Sequence, residues 1–249
     1  MKIKSFEKDY SSYYDLFYSD KNYEAESQYF LSKAERDIKN ILELGCGTGN
    51  YSEYFIKKGK TVYGVEISKS MLNIANKRFS NNFISIHSDI ENFKIDKKFK
   101  IAYSLFHVFS YLTENNKILN TLKNINNHLE KGGLFIFDYW YTNGVLNLKP
   151  ETKIRKIENK KIKATRLSTP NIVCNKNLVE VNFEYFIEDK ETKKIFQNSE
   201  KHNMRHFSLP ELELFANLSG FEILNSEELI SKKFPSDKVW ALTSIFKKL

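Results

Sequence analysis

The chain has 249 residues, is 41% hydrophobic and carries a net charge of +8, enough to bury one core with room for an insertion. No apolar run approaches the ~20 residues of a membrane span, and the start MKIKSFEKDYSSYYD lacks the apolar centre of a signal peptide, so a cytoplasmic protein is expected. Two cysteines, Cys46 and Cys174, make neither a disulfide framework nor metal-site spacing, and no metal is expected. The lysines of KKGK, KKFK and KIRKIENKKIK are interleaved with apolar residues, which reads as solvated surface and argues against nucleic acid as partner.

In chain order, NILELG (40–45) is strand-like, and GNYSEYFIKKG (49–59) sets Tyr51, Tyr54 and Phe55 at helical spacing before Gly59. TVYGVE (61–66) is the second strand. SKSMLNIANKRFS (68–80) opens on Ser68 as N-cap and puts Met71, Leu72, Ala75 and Phe79 on one face. FISIHSD (83–89) is the third strand, and FKIAYSLFHVFSYL (99–112) is a strand running into a loop. ENNKILNTLKNINNHLEKGG (114–133) reads as a helix closed by its glycines, followed by LFIFDYW (134–140) as the fifth strand. Such alternation predicts a wound α/β sheet.

From about 150 to 207 the pattern changes to period two, in KIKATRLS, LVEVNFEYFIED and KKIFQNSEKHNMRHF, which predicts an inserted antiparallel hairpin or three-stranded sheet. SLPELELFANLSG (208–220) is a helix capped by Ser208, with Pro210 in its first turn and Gly220 after its end; FEILNSEEL and VWALTSIFKK form a final strand pair.

The first strand-to-helix turn, GCGTG, holds Gly45, Gly47 and Gly49. In a wound sheet this turn is where a ligand meets the backbone, and small residues let N–H groups face an anionic part of it. A dinucleotide is the competing ligand, but its fingerprint is G-x-G-x-x-G, and Glu43 two residues ahead of Gly45 would sit badly beside a pyrophosphate. A carboxylate there suits an ammonium, so the expected ligand is zwitterionic, and S-adenosylmethionine fits. Glu66 ends the second strand, where it can accept both ribose hydroxyls, with Ile67 beside it. Asp89 ends the third, placed to accept from an adenine amino group while Ile90 packs on the ring; Leu105, at the end of the fourth, completes the expected cofactor set.

ELGCGTGN, VYGVEIS, HSDI and LEKGGLFIFDYW together resemble the class I S-adenosylmethionine-dependent methyltransferases over roughly residues 38 to 140. YYDLFY, DKNYEAE and MRHFSLPELELFANLSGFEI extend a weaker resemblance to the small-molecule branch that contains the sugar N,N-dimethyltransferases. The resemblance implies an α/β fold, a doubly wound Rossmann-like seven-stranded sheet with an inserted antiparallel β-sheet. It implies an N-terminal helical lid over 1–37, a cofactor-binding core over 38–140, an insert over 150–207 that shapes the acceptor site or a dimer contact, and a C-terminal helix and strand pair over 208–249. In that branch Tyr14 and Tyr23 would contact cofactor or substrate. The implied partner is a small molecule, a sugar, nucleotide-sugar or other cell-surface precursor, methylated on N or O by a monomer or homodimer. An RNA or protein methyltransferase and a non-catalytic cofactor-binding partner are the alternatives.

Methyl transfer from a sulfonium is an in-line displacement, so the protein chiefly aligns the acceptor and excludes water. A hydroxyl acceptor benefits from a general base, and His107 just beyond the fourth strand is the candidate. By the resemblance, the branch's own histidine in this loop falls at Tyr111, which is then expected to orient the acceptor. Asp138, Trp140 and Tyr141 after the fifth strand are candidates for holding the acceptor's amine or hydroxyl or stacking on its ring. Arg205, with His206, is a candidate phosphate contact, although surface placement is expected for both.

Overall fold

The computed structural model describes residues 8–35 and 37–249; the part of the expected lid in residues 1–7 lies outside them. Two short helices lead in, α1 (Lys8–Phe17) and α2 (Tyr23–Leu31), the second capped by Asn22, whose side chain accepts from the Ala25 amide at 3.0 Å. The wound unit follows as β1 (Asn40–Leu44), α3 (Asn50–Lys57), β2 (Thr61–Glu66), α4 (Lys69–Arg78), β3 (Phe83–His87), β4 (Phe99–Ser104), α5 (Asn115–His128) and β5 (Leu129–Tyr141). Ser68 caps α4 by accepting from the Met71 amide, and its apolar residues Met71, Leu72 and Ala75 are buried.

A short helix, α6 (Thr142–Leu148), leads into four antiparallel strands, β6 (Lys153–Glu158), β7 (Ile162–Val173), β8 (Leu178–Asp189) and β9 (Ile195–Phe207). The chain closes with α7 (Leu209–Leu218), β10 (Phe221–Glu228) and β11 (Ala241–Lys248). Parallel strands run in the order β3-β2-β1-β4-β5, and β11 then β10 continue the sheet antiparallel from β5, which gives the expected seven-stranded wound sheet. The insert joins it through β9, which pairs with the end of β5 at only Trp140↔His206 and Tyr141↔Phe207.

Two sequence readings need correction. The helix expected over 114–133 ends at His128, and Gly132 and Gly133 belong to β5; pairing of Leu129 with Phe99 and of Leu134 with Ile101 draws the segment into the sheet, with a register shift between them that the glycines accommodate. The insert has four strands, not two or three, because Lys153–Glu158 pairs antiparallel with β7 as an additional strand, and β7 itself runs on through Pro170. Pairing with β6 stops at Ser168, so beyond it β7 is an edge strand on that side, where a missing N–H is tolerated.

The core beneath the site is aromatic. Phe135, Phe137, Phe109 and Phe207 are fully buried, with Phe135 stacked on Phe137 at 4.6 Å and Phe109 against Phe207 at 5.2 Å. Truncating one such ring costs about 3–5 kcal/mol. This packing fixes the segment after β4, which carries His107 and Tyr111, against the ends of β5 and β9.

Candidate active site

A cavity of about 630 Å³ opens where the carboxyl ends of β1, β2, β4 and β5 face α1 and the inner side of the insert, within the ~300–1,000 Å³ of small-molecule sites. One end is the glycine turn. Gly45, Gly47 and Gly49 all have positive φ, and Gly45 and Cys46 donate their amides to the Val65 carbonyl at 2.8 and 3.1 Å, which ties the turn to β2. A Cβ at Gly45 would lie 2.5 Å from Val108 Cγ1, whereas one at Gly47 would meet only Met71 Sδ, at an ordinary contact distance of 3.8 Å. Gly47 is thus the point where a ligand can touch the backbone.

Glu66 is buried and lines the same end. Its two carboxylate oxygens accept from the amides of Gly47 at 2.9 Å and Ser68 at 2.7 Å. The Ile67 amide adds to them, and the carboxylate still has capacity for a further donor. Burial raises its pKa, and these amides pull it back. Asp89 and Ile90 line the wall beyond it; Asp89 Oδ1 accepts from the Glu91 amide at 3.0 Å, which holds the carboxylate in place.

Helix α1 closes the cavity from above. Asp15 accepts from Thr48 Oγ1 at 2.5 Å and from Asn50 Nδ2 at 3.0 Å, and lies 2.6 Å from Arg78 Nη2. These contacts anchor α1 on the start of α3 and the end of α4. Tyr14 and Tyr18 then line the cavity, with rings 4.9 Å apart, and Tyr23 joins them through the Asn50 amide at 3.4 Å.

The other end holds the acid–base groups. Phe106 and His107 both adopt left-handed backbone, φ +65° and +62°, which costs of order 1–3 kcal/mol per residue and persists where the surroundings dictate it. Here Asp138, almost wholly buried at the end of β5, accepts the His107 amide at 2.9 Å, and its other oxygen lies 3.0 Å from His107 Nδ1. The imidazole itself forms part of the cavity wall. Trp140 forms the next part of the wall, held by its amide to Ser110 Oγ at 3.0 Å and by the Trp240 ring at 5.2 Å. Tyr111 lines the wall too, and its hydroxyl lies 2.7 Å from Nδ1 of His202 on β9.

Of the sequence candidates, Tyr14, Tyr23, Gly45, Gly47, Glu66, Ile67, Asp89, Ile90, Leu105, His107, Tyr111 and Trp140 line this one cavity. Others stand elsewhere. Glu43 is buried behind the turn, accepting from Ser52 Oγ at 2.5 Å, and burial pushes its carboxyl up to about 8. Gly49 serves the start of α3, where Phe79 fills the space a side chain would need. Asp138 faces His107 instead of the open cavity. Tyr141 is buried and receives Asn143 Nδ2 on its hydroxyl. The surface placement expected for Arg205 and His206 is wrong. Arg205 is buried between the Phe207 and Phe215 rings and tied to Glu211, since a guanidinium leaving water takes a carboxylate with it. His206 meets Thr142 Oγ1 at 2.9 Å.

The sequence reading missed Asp15 and the inner face of the insert, Val181, Phe183, His202 and Met204, which line the cavity opposite the core. Period-two alternation puts His202 and Met204 on one face of β9 and was the available signal. Among the described residues there is no cluster of metal-binding side chains, and no helix is long and apolar enough to cross a membrane.

A parallel sheet with a glycine turn after β1, carboxylates after β2 and β3, and an antiparallel β11 beside β5 is the architecture of the Rossmann-like methyltransferases. Residues 41–133 match the family model described as a methyltransferase domain. A dTDP-3-amino-3,4,6-trideoxy-alpha-D-glucopyranose N,N-dimethyltransferase of Streptomyces venezuelae is 30% identical over 142 residues, 55% of this chain and 59% of that protein. An uncharacterized methyltransferase of Bacillus mycoides is 33% identical over 102 residues, 41% of this chain and 47% of that protein. The chain thus spans roughly half the length of the curated relatives it matches. Among solved structures, an S-adenosylmethionine-dependent methyltransferase from Clostridium acetobutylicum superposes with a TM-score of 0.80 at 23% identity, covering 97% of this chain and 98% of that one. The fold is therefore that of the S-adenosylmethionine-dependent methyltransferases.

The residues present fit S-adenosylmethionine. Gly47 leaves room for close approach, Glu66 offers a buried carboxylate to hydroxyl donors, and Asp89 with Ile90 offers an acceptor beside an apolar surface.

Proposed function

We propose that the protein transfers a methyl group from S-adenosylmethionine to the nitrogen of a small amine, an amino sugar or its nucleotide-linked form. One observation carries this reading: the same cavity joins the glycine turn and the Glu66 and Asp89 carboxylates at one end to His107, Tyr111 and Trp140 at the other. The likeness to a sugar N,N-dimethyltransferase supports the acceptor class.

The cofactor supplies an electrophilic methyl, so the chain's residues need only hold and deprotonate the acceptor. Gly47 and Glu66 position the donor end. Trp140 offers a ring face to a pyranose and Tyr14 a hydroxyl to its substituents, while α1 acts as a lid that keeps water from the sulfonium. His107, held by Asp138, accepts a hydrogen bond from a hydroxyl of the acceptor and so helps to align it for transfer. Arg205, engaged with Glu211, contributes nothing to a phosphate, so a nucleotide-linked acceptor keeps its diphosphate at the mouth.

The test is calorimetric titration with S-adenosylmethionine, followed by methyl-labelled donor offered separately to the dTDP-linked 3-amino sugar, free amino sugars, sugars bearing only hydroxyls, and total RNA. Micromolar binding with label on the amino sugars is expected. Label confined to hydroxyl sugars or RNA overturns the acceptor class, and failure to bind the cofactor overturns the reading of the cavity.

A further inference from the structure

The inner face of the insert brings a second histidine–carboxylate pair to the cavity. Tyr111 Oη lies 2.7 Å from His202 Nδ1, and His202 Nε2 lies 3.1 Å from Glu200 Oε2. His202 and Glu200 are 3% and 8% exposed, and the Phe183 ring stands edge-on to the imidazole at 4.8 Å. A carboxylate accepts only, so Nε2 carries the hydrogen given to Glu200 and Nδ1 accepts from the phenol. The chain of bonds thus has one direction, from Tyr111 at the cavity wall through His202 to a buried anion.

We propose that Tyr111, His202 and Glu200 form a proton relay that takes the ammonium proton of the acceptor, so that the insert supplies the base for N-methylation. The proposal rests on the amine reading given above. The acceptor's N–H bond breaks toward Tyr111 Oη as the phenol's own hydrogen moves to His202 Nδ1, leaving an imidazolium beside the Glu200 carboxylate. The nitrogen lone pair so freed forms the bond to the methyl carbon as the sulfur–carbon bond breaks, its electron pair remaining on sulfur. The proton returns through Tyr111 to water when product leaves, and the relay is ready for a second methylation.

The phenol is not itself the final base. Burial first, then the nearby Tyr18, Tyr185, Glu200 and Glu66, hold its pKa well above the ordinary value, so a proton reaching Oη must be matched by one leaving it. The surroundings of His202 accord with this. Tyr111 faces it from the segment after β4, Phe183 from β8 and Glu200 from its own strand, with the Arg166 guanidinium beyond Phe183, 4.8 Å from that ring. A buried imidazolium is then neutralised on one side and shielded by an aromatic ring on the other.

The relay is read in two ways, one of which needs no turnover. In ¹⁵N-histidine-labelled protein with S-adenosylhomocysteine, His202 is expected at neutral pH as the Nε2–H tautomer, with an Nδ1 resonance that moves in Tyr111→Phe. A His202 protonated on Nδ1 overturns the proposal, whatever the acceptor proves to be. With the dTDP-linked 3-amino sugar, His202→Ala should lower kcat/KM by ~10²–10³. The acid limb of the pH profile should move up toward the amine's own pKa, while affinity for S-adenosylmethionine stays within about twofold. Glu200→Gln should give the same limb shift in weaker form, and Glu200→Asp should recover part of it. An unmoved limb in His202→Ala, with activity lost through KM alone, makes the pair structural and overturns the relay.

Discussion

Replacing Gly45 and Gly47 in turn by alanine separates the two duties of the glycine turn. Both residues have positive φ, +69° and +56°, where any L side chain costs about 1–2 kcal/mol. At Gly45 the new methyl would also lie 2.5 and 2.7 Å from the two γ-carbons of Val108. Val108 is β-branched and cannot rotate aside cheaply, so overpacking adds ~1–3 kcal/mol. Gly45→Ala is therefore expected to cost roughly 2–5 kcal/mol and Gly47→Ala roughly 1–2 kcal/mol. At about 2–4 °C per kcal/mol for a chain of this size, scanning calorimetry should show losses of roughly 4–20 °C and 2–8 °C. Binding should rank them the other way. The Gly47 methyl enters the cavity, so titration should show at least a ~10-fold loss of affinity for S-adenosylmethionine, about 1.4 kcal/mol, while folded Gly45→Ala keeps most of it. Equal thermal losses would refute the packing argument, and undiminished binding by Gly47→Ala would refute close approach of the ligand at that amide.

Glu66→Gln sets an amide NH₂ against one of two backbone N–H groups, so cofactor affinity should fall ~10- to 100-fold, at about 1.4 kcal/mol per tenfold, as measured by calorimetry. Asp15→Ala frees α1 from Thr48, Asn50 and Arg78; because the ion pair is partly exposed, stability should change by less than ~1 kcal/mol while KM for the cofactor rises several-fold in a labelled-methyl assay. Glu43, raised to about 8 from an ordinary 4.5, binds more protons folded than unfolded. Its contribution is therefore full below the ordinary value and drains away as pH rises toward 8, by about 1.4 kcal/mol for each pH unit crossed. Thermal melts of the free protein should fall from pH 5 to 8, and Glu43→Gln should flatten that fall. Arg205→Ala strands Glu211 in a half-buried site and should cost ~3–5 kcal/mol in urea titration, leaving cofactor affinity unchanged.

The wound sheet was legible because each element announces itself locally: the Ser68 and Ser208 caps, the apolar faces of α4 and α5, and the glycines at the turn. The cofactor end was legible for a related reason. Gly47, Glu66 and Asp89 stand at the ends of consecutive strands, so topology alone brings them together. What was not legible depends on contacts across the chain. Tyr111 and His202 are 91 residues apart, and Asp15 reaches Arg78 across 63. No local pattern marks either pair. Arg205 misled because its sequence neighbours look like a loop exit, whereas its carboxylate partner Glu211 lies in the first turn of the next helix. The end of α5 misled because a glycine pair stops a helix and relieves a register shift equally well.

The insert pairs with the core sheet at only two residue pairs at the tip of β5, yet its inner face walls one side of the cavity. Side chains make the rest of the joint, with Phe207 on Phe109, His202 on Tyr111 and Arg166 on Tyr18. Change at positions 181, 183 and 204 would alter that wall without touching the glycine turn or its acidic partners. On the function proposed above, acceptor choice would then vary by small steps while the donor end stays as it is.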